Sequence, residues 1–367
     1  MNEIMIKQCS KCLLPHNYLN IEIDSEGICQ HCRNYQPITF LGEEALREVI
    51  KKPMSLNSSK KYDCVVGFSG GRDSTYLLWY VVKVLKLRAL AVFSDDLFIP
   101  EVVLDNIENT CKILGVELRA IKHDNLKKCI THHLNAWIKR PVPESLMFLN
   151  VGERIGYETF VELEAIKEGV HLVFGGRTPI QSEAQYKTEL MKFNNKGGRL
   201  SWMAGYAQQV ISNPSLALNL FSLKTQYKEF MVGKWKKKLI KKNNLTIVQP
   251  FYEYIQWREK DVEDVLFNEL NWESPKGDKQ TSRVGCEVDT LRQYLFYRTL
   301  GYNDNHVDLS GLIRDGQLTR DEALEKLRIS LNISLDEIRY ILTKAGVNAD
   351  VFLKKLDDKY PVNSLIN

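Results

Sequence analysis

Residues 62–79 read YDCVVGFSGGRDSTYLLW, and this stretch decides the fold. Its first part, Tyr62 to Phe68, is mostly apolar and partly β-branched, which is typical of a strand buried on both faces of a parallel sheet. A loop of small residues follows at 69–71, and a helix begins at Asp73. A strand, a glycine turn and a helix N-terminus direct several backbone N–H groups and the positive end of a helix dipole at one point. That point suits a phosphate group.

The glycine loop matches neither of two common nucleotide-binding motifs. It is not GxGxxG, and it is not GxxxxGK[ST], because no lysine follows the glycines. The pattern therefore implies neither dinucleotide binding nor ordinary NTPase chemistry. The alternative is a turn that only joins a strand to a helix. Such a turn would not need the hydroxyls and the acid that flank these glycines.

Residues 69–74, SGGRDS, resemble the SGGxDS signature of the PP-loop ATP pyrophosphatases, which include GMP synthetases, argininosuccinate synthetases and tRNA thiolases. In that family the loop holds the pyrophosphate that leaves when ATP adenylates an oxygen. The resemblance implies that Ser69 and Ser74 bond pyrophosphate oxygens and that Asp73 holds Mg²⁺ or orients the loop. The ATP-binding residues expected in this stretch are Gly67, Phe68, Ser69, Gly70, Gly71, Arg72, Asp73 and Ser74.

Strands and helices alternate after this loop. This rhythm predicts an α/β fold with a doubly wound parallel sheet and right-handed crossovers, and a ligand at the carboxyl ends of the strands, beside the first one. The predicted elements are strand 62–68, helix 73–86, strand 88–94, helix 100–114, strand 116–121, helix 153–168 and strands 171–174 and 246–248.

Two other strand ends carry polar groups. Ser94, Asp95 and Asp96 end the second strand, where an adenosine could be recognised, although either aspartate could instead cap the next segment. The strand at 171–174 ends in Gly175 and Gly176.

In PP-loop enzymes the strand end that corresponds to 171–174 often carries groups that face ATP and its magnesium. The candidates here are Gly175, Arg177 and Glu183, and Arg154 is a candidate to reach a phosphate from the preceding helix. The alternative for each of the three charged residues is an ordinary surface charge.

Four of the eight cysteines, Cys9, Cys12, Cys29 and Cys32, are spaced C-x2-C-x16-C-x2-C. Each CxxC turn can present two thiolates to one ion, so the spacing predicts a tetrahedral, closed and structural zinc site. Disulfides are the alternative, but a cytosolic chain would keep these thiols reduced. The other four, Cys64, Cys111, Cys129 and Cys286, are scattered.

The composition is that of an ordinary globular protein. The chain has 367 residues, 44% hydrophobic and 26% charged, with a net charge of +4, so it gives no reason to expect a nucleic-acid or membrane partner. The first twenty residues lack a signal-peptide h-region, and no apolar run approaches the ~18 residues of a spanning helix. We expect a cytoplasmic protein.

The chain is expected to divide into a zinc module at 1–38, a helix and linker at 39–61 with the linker beginning at Pro53, an ATP-binding domain at 62–185 and a mainly helical substrate or partner domain at 186–367. In the last domain, the loops at 186–224 and 273–285 have no assigned role. Thr319 with Glu322, and Ser334 with Glu337, predict capping boxes.

Residues 227–242 have helical apolar spacing, which predicts that their lysines form a solvated helix face. A nucleic-acid-binding stripe is the alternative reading of the same lysines.

Three features together resemble the N-acetyl sugar amidotransferases of surface-polysaccharide (lipopolysaccharide O-antigen) biosynthesis. They are the paired CxxC motifs, SGGRDS about forty residues later, and the tail HVDLSGLIRDGQLTRDEAL at 306–324. The resemblance implies an AMP- and pyrophosphate-forming ligase that converts the N-acetyl group of a nucleotide sugar to an acetamidino group. It implies ATP, Mg²⁺ and Zn²⁺ as cofactors, and ammonia from a separate glutaminase and a cyclase-like channel subunit. A homodimer is a further possibility.

Two other functions fit parts of the pattern. A zinc-containing PP-loop tRNA thiolase shares the cysteine module and SGGxDS, but it needs sulfur-handling cysteines or an iron–sulfur cluster near ATP. The four scattered cysteines form no CxxC pair, which argues against it. A non-catalytic zinc scaffold that only binds nucleotide is the third reading.

Overall fold

The computed structural model describes residues 7–95, 97–122, 126–149, 159–176, 178, 189–190, 199–217, 234–274 and 286–361. A five-stranded, fully parallel sheet forms its centre. All five predicted strands are confirmed, each to within two residues at either end. The strands are β1 (Cys64–Gly67), β2 (Ala89–Asp95), β3 (Glu117–Lys122), β4 (Leu172–Phe174) and β5 (Thr246–Val248).

The strand order is β3-β2-β1-β4-β5. The chain builds outward from β1 to β3 on one side, and then continues with β4 and β5 on the other side of β1. The order therefore reverses between β1 and β4, and in doubly wound sheets ligands bind at the carboxyl ends of the strands at this point. The SGGRDS loop, residues 69–74, follows β1 and lies at this switch point.

Both faces of the sheet are covered, because neighbouring residues of each strand point to opposite sides. Val65 of β1 packs with Leu90 and Val92 against the helix at 160–168. Val66, on the other face, packs into a larger core with the helices that follow β1 and β2. The continuous apolar run of β1 thus predicted its double burial correctly.

The helices follow the predicted pattern over most of the described chain. The first of them to follow β1 begins at Arg72 and continues from Tyr80 as a π-helical turn. Thirteen α-helices lie wholly within the described residues: α1 (Gln30–Arg33), α2 (Glu43–Leu56), α3 (Arg72–Trp79), α4 (Glu101–Leu114), α5 (Leu126–Trp137), α6 (Phe160–Glu168), α7 (Arg199–Ser212), α8 (Glu259–Glu269), α9 (Glu287–Leu300), α10 (Asp304–Arg314), α11 (Arg320–Leu331), α12 (Leu335–Lys344) and α13 (Ala349–Lys359).

The expected linker from Pro53 is wrong in its first half. Helix α2 runs through Pro53, which is buried, and ends at Leu56. The chain is then fixed by Asn57, whose side-chain amide donates to the Asp63 carbonyl at 2.7 Å and whose carbonyl oxygen accepts from the His171 N–H at 3.0 Å. These bonds attach the end of α2 to the sheet, and both Pro53 and Asn57 are buried, so this stretch is a fixed part of the fold and not a linker.

The predicted lysine-rich helix is described only from residue 234, and it is helical to 242. Most of its lysines face solvent as expected, but Lys236 does not. Its ammonium lies 2.8 Å from the carboxylate of Glu162, which is buried on α6. Trp235, which the spacing assigns to the apolar face of this helix, is exposed. The apolar and charged faces are therefore less cleanly separated than the spacing predicts.

The predicted capping box at Thr319 is confirmed in both directions, since the Glu322 N–H donates to the Thr319 hydroxyl at 3.3 Å and the Thr319 N–H donates to the Glu322 carboxylate at 2.8 Å. At Ser334 only one half is present: its hydroxyl accepts from the Glu337 N–H at 3.0 Å. Ser334 is therefore an N-cap without the reciprocal bond.

The cysteine module, residues 7–38, shares a core with the C-terminal helices. Its four paired cysteines and Tyr18 cluster with Leu291 and Leu295 of α9 and with Tyr302. The rings of Tyr18 and Tyr302 lie 5.1 Å apart. The first residues of the described chain therefore pack against the last helices. In the part of the chain that the structure describes, no helix has the length and apolar character needed to cross a membrane.

Two buried histidines predict acid sensitivity. His133 of α5 and His306 of α10 are almost wholly inaccessible, and burial lowers the pKa of His133 to about 4 and that of His306 to about 3. In the unfolded chain each would take up a proton near pH 6.5. The unfolded state thus binds more protons below that pH, so stability falls with acidification by about 1.4 kcal/mol per pH unit for each histidine.

We expect the melting temperature to fall between pH 7 and pH 5, and the fall to be smaller in His133→Leu. The matched control is His132→Leu, because His132 lies next to His133 on the same helix but is only half-buried. Scanning calorimetry at both pH values measures the difference. An unchanged pH dependence in His133→Leu would show that His133 does not carry the effect.

Candidate functional site

The SGGRDS loop is closed by its own hydroxyls. The Ser74 hydroxyl accepts a hydrogen bond from the Ser69 N–H and donates one to the Gly71 carbonyl, both at 3.1 Å. The Ser69 and Ser74 oxygens lie 2.9 Å apart. In this arrangement Ser74 braces the loop, and the two hydroxyls together sit above the first turn of α3.

Gly70 lies where a side chain cannot fit. Its φ is +74°, and a Cβ built on it would lie 2.5 Å from Cγ1 of Ile107 on α4. The Gly70 carbonyl accepts a hydrogen bond from the Trp272 indole at 3.0 Å. The loop is therefore pressed against α4 on one side and held by an aromatic residue on the other.

The N-terminus of α3 has the features of an anion site. Its N-cap is Gly71, which has no side chain, and no side chain caps the first turn. The first N–H groups of a helix have no partner within the helix, and together with the helix dipole they favour a negative charge. A phosphate group placed at this turn would satisfy them.

Asp73 is held in place from two directions. Its carboxylate accepts a hydrogen bond from the Trp257 indole at 2.9 Å, and its backbone carbonyl accepts one from the Tyr252 hydroxyl at 2.6 Å. The Arg72 Nε lies 3.4 Å from the same carboxylate oxygen. These contacts support the loop-orienting role of Asp73, and its role towards Mg²⁺ stays a prediction.

Arg72 is tied to the C-terminal half of the chain. Its guanidinium lies 3.2 Å from the carboxylate of Glu259 and 4.9 Å from the ring of Trp257. Glu259 is buried, and Lys326 lies 3.5 Å from the same oxygen. Burial raises the pKa of Glu259, and the two cations oppose that rise. Arg72 thus serves as a link between the loop and α8.

The end of β4 lies against α3. A Cβ on Gly176 would be 3.2 Å from Leu77 and 3.4 Å from the Asp73 carbonyl, and a Cβ on Gly175 would be 2.9 Å from Gln249. Gly176 thus allows the end of β4 to lie close to the start of α3, and Gly175 allows it to lie close to Gln249. A Cβ built on Gly67, at the end of β1, would lie 3.4 Å from Val161.

At the end of β2, Ser94 is buried and Asp95 is the last strand residue. The Asp95 carboxylate accepts a hydrogen bond from the Leu97 N–H at 2.9 Å. This bond to the backbone two residues on agrees with the local-turn reading of Asp95, and recognition of adenosine at this strand end stays a prediction. Asp96, Arg154, Arg177 and Glu183 lie outside the described residues, as do residues 275–285. In the expected loop at 186–224 the structure describes 189–190 and 199–217, and Arg199–Ser212 is helix α7, so the expectation of a loop is wrong there.

The paired CxxC motifs converge as their spacing predicts. The four sulfur atoms are buried and all lie within 4.8 Å of one another. Cys9 and Cys32 are 4.0 Å apart, and Cys12 and Cys29 are 3.8 Å apart. The set fits a tetrahedral ion such as zinc. Within the described ranges it is the one group of three or more potential ligands close enough to hold a metal.

The four thiols share protons with one another and accept hydrogen bonds from neighbouring donors. The Cys29 N–H donates to the Cys9 sulfur at 3.3 Å, and the Arg314 guanidinium lies 3.9 Å from the Cys12 sulfur. Hydrogen bonds from Cys12 and Cys32 lower the pKa of Cys29 to about 4, and hydrogen bonding with Cys12 and Cys29 raises the pKa of Cys32. A hydrogen bond with Cys12 raises the pKa of Cys9 to about 12. A cation is required for all four to ionise together.

Several residues of this site carry no sequence signal. Trp257, Tyr252 and Trp272 all donate to the loop, yet they lie about 180 to 200 positions after it in the chain. From the sequence pattern alone, a tryptophan or tyrosine in a helical region is predicted to be an ordinary core residue. Their proximity to SGGRDS is visible only in three dimensions.

We predict one zinc ion per chain, bound by the cysteine module. Cys29→Ala should lose the metal, whereas Cys111→Ala, which changes a buried cysteine on α4 outside the cluster, should keep it. Because the module shares a core with α9, loss of zinc should also lower the melting temperature. Elemental analysis measures the stoichiometry. A value near zero, or iron–sulfur absorbance, would overturn the assignment.

Comparison with known proteins gives one family match and several distant structures. Residues 278–363 match the family model described as "LPS biosynthesis protein WbpG-like, C-terminal domain". An uncharacterized protein of Methanocaldococcus jannaschii is 29% identical over 120 residues, which are 32% of this chain and 43% of that protein. The match therefore spans less than half of that relative.

Two of the solved structures with a similar arrangement are NMN synthetase from Francisella tularensis and the U34-tRNA thiolase NcsA from Methanococcus maripaludis with its 4Fe–4S cluster. The first has a TM-score of 0.35 at 14% identity, over 80% of this chain and 95% of that one. The second has a TM-score of 0.31 at 16% identity, over 80% and 82%. These scores are too low to carry an argument. The family match shows that residues 278–363 are similar to the C-terminal domain of WbpG-like proteins of lipopolysaccharide biosynthesis.

Proposed function

We propose that this chain is the synthase subunit of an ATP-dependent amidotransferase that converts the N-acetyl group of a nucleotide sugar to an acetamidino group in O-antigen biosynthesis. The observation that carries the proposal is the SGGRDS loop at the switch point of the sheet, in a chain whose C-terminal domain is WbpG-like. The loop supplies the ATP chemistry, and the domain match supplies the sugar pathway.

The chemistry fits the groups at the loop. An amide carbonyl is a poor electrophile, and its oxygen is a poor leaving group. In the proposed reaction the amide oxygen attacks the α-phosphorus of ATP and pyrophosphate leaves. Ammonia then adds to the imidate carbon, and AMP departs with the former amide oxygen.

The residues of the chain act mainly by positioning and electrostatics. The N–H groups at the start of α3 and the Ser69 hydroxyl would stabilise the charge that develops on pyrophosphate. Asp73, held by Trp257, is the residue that would bind Mg²⁺, which offsets further phosphate charge. No covalent nucleophile from the protein is needed.

Ammonia is proposed to come from separate subunits, a glutaminase and a cyclase-like channel protein, in the cytoplasm. A glutaminase needs an activated thiolate with a base in reach. Complete burial raises the pKa of the Cys64 thiol in β1, and burial raises that of Cys111 to about 12. Neither is a suitable nucleophile. Free ammonia is scarce at neutral pH, so a tunnelled supply also solves a concentration problem and keeps water from the adenylated amide.

A tRNA thiolase is the alternative, and the cysteines argue against it. An iron–sulfur cluster would need several thiols together near the ATP loop. In the parts of the chain that the structure describes, the cysteines that lie within metal-binding distance of one another are those of the N-terminal module. The other four, Cys64, Cys111, Cys129 and Cys286, are buried, and they belong to no such group among the described residues.

We expect amidine, AMP and pyrophosphate when the purified chain receives ATP, Mg²⁺, an acetamido nucleotide sugar and a high concentration of ammonium salt. Glutamine should support the reaction only after a glutaminase and its channel partner are added. Mass spectrometry of the sugar and quantification of AMP measure both. Amidine formed from glutamine by this chain alone would refute the partner scheme, and no amidine from either source would refute the proposed activity.

We expect Ser69→Ala and Asp73→Asn to lower kcat by at least about 100-fold, the typical cost of losing one preorganised charge-stabilising group. Asn is preferable to Ala at position 73 because it retains an acceptor for the Trp257 indole. Matched controls are Ser58→Ala and Asp105→Asn, both exposed and away from the loop. Near-normal kcat in either loop variant, with a normal melting temperature, would contradict the assigned roles.

A further inference from the structure

The tail at 306–324 contains a loop that contacts both the cysteine module and the support of the ATP loop. The Tyr35 hydroxyl donates to the Asp315 carboxylate at 2.6 Å. The Gln317 amide donates to that carboxylate at 2.8 Å and to the Trp257 carbonyl at 3.0 Å, and its oxygen accepts from the Glu259 N–H at 3.0 Å. One side chain thus binds the backbone on both sides of residue 258.

Gln317 contacts Trp257 and Glu259, and the side chains of these two residues contact the SGGRDS loop. Trp257 donates to the Asp73 carboxylate at 2.9 Å, and Glu259 pairs with Arg72 at 3.2 Å. A displacement of residues 257–259 would therefore move both contacts. Within the described part of the chain, the Gln317 side chain hydrogen-bonds to Trp257, Glu259 and Asp315 and to none of residues 69–74, so we expect any effect of it on the loop to pass through Trp257 and Glu259.

Other tail residues attach the same segment to the cysteine module. The Leu13 N–H donates to the Ser310 hydroxyl at 3.1 Å, and Arg320 donates to the side-chain oxygen of Gln8 at 3.2 Å. Arg314 lies 3.9 Å from the Cys12 sulfur. The tail therefore has the cysteine module on one side and residues 257–259 on the other.

We propose that Gln317 is a positioning residue for the ATP chemistry. It fixes residues 257–259 so that Trp257 and Glu259 hold Asp73 and Arg72 in place, and Tyr35 of the cysteine module supports it through Asp315. This inference rests on the proposed function in one respect: two of its tests measure ATP binding and AMP formation by this chain.

The requirement for an amide is specific. Gln317 uses two N–H donations and one acceptance, which a glutamine side chain can supply together. A glutamate would keep the acceptance from the Glu259 N–H, but it would lose both donations and place a second carboxylate beside Asp315. The bonds of Gln317 to the Trp257 carbonyl and the Glu259 N–H hold the backbone of residues 257–259. Their loss would let these residues shift.

The first test compares Gln317→Ala with Gln256→Ala. Gln256 is exposed and adjacent to Trp257, and its side-chain oxygen accepts a hydrogen bond from the Arg258 guanidinium at 3.0 Å. Gln317→Ala should lower kcat for AMP formation about tenfold, a loss within the range that a small misplacement of reacting groups causes. Zinc content and melting temperature should stay near wild type, and Gln256→Ala should behave as wild type. Unchanged kcat in Gln317→Ala would overturn the proposal.

A double-mutant cycle tests the route. Trp257→Phe removes the indole donor to Asp73 while keeping an aromatic ring in the core. If Gln317 acts through Trp257, adding Gln317→Ala to Trp257→Phe should cost much less than tenfold. Fully additive losses would show that Gln317 acts by another route.

ATP binding separates this inference from the proposed function. Calorimetric titration with ATP and Mg²⁺ should show weaker binding to Gln317→Ala than to wild type even if no amidine is ever formed. In that case the amidotransferase assignment falls and the positioning role stands. Normal ATP binding together with normal kcat would remove the positioning role and leave the amidotransferase assignment intact.

The contribution of the cysteine module is tested by Tyr35→Phe, which removes one hydroxyl and no zinc ligand. We expect kcat for AMP formation to fall about threefold at unchanged zinc stoichiometry, in line with the loss of one hydrogen bond that acts indirectly. The control Tyr340→Phe changes an exposed tyrosine on α12. Equal rates in the two variants would show that the module does not support Gln317.

Discussion

The hydrogen bond from the Trp257 indole to the Asp73 carboxylate connects two parts of the chain that are 184 residues apart. It is short, and both partners are buried, so its loss would leave an unsatisfied polar group in the core. Tyr252 and Trp272 bind the backbone of the same loop at Asp73 and Gly70. The loop after β1 therefore owes its shape to residues beyond β5. A loop held in this way can present its N–H groups without rearranging when a charged ligand arrives.

The small cysteine module also depends on packing against the C-terminal region of the chain. A segment of about thirty residues with few large apolar side chains rarely folds without a staple. Two features stabilise the module here. One is the four-cysteine cluster, and the other is a hydrophobic core that the module shares with α9 and with Tyr302. The C-terminal region therefore packs against the cysteine module on one side and contacts the support of the SGGRDS loop through Gln317 on the other. These contacts give the tail at 306–324 a structural role.

The features that were predictable from sequence are the local ones. β1, its loop and α3 are encoded by adjacent apolar, glycine and helix-forming residues, and the cysteine cluster is encoded by spacing. The sequence failed where a contact crosses the fold. Lys236 follows a solvated helix face by pattern but pairs with a buried Glu162, and Pro53 reads as a break but lies inside α2. Trp257, Glu259 and Gln317 form the support of the site, yet none differs by pattern from ordinary core or surface residues.

The proposed adenylation makes a specific statement about one oxygen atom. If the amide oxygen attacks the α-phosphorus, that oxygen must leave with AMP. The measurement is therefore a reaction with nucleotide sugar that carries ¹⁸O in its acetamido carbonyl, with ATP, Mg²⁺ and ammonium, followed by mass spectrometry of the nucleotide products. We predict one ¹⁸O atom in each AMP and none in pyrophosphate. Unlabelled AMP, or label found in inorganic phosphate alongside ADP, would contradict the adenylated-amide chemistry and with it the role assigned to the SGGRDS loop.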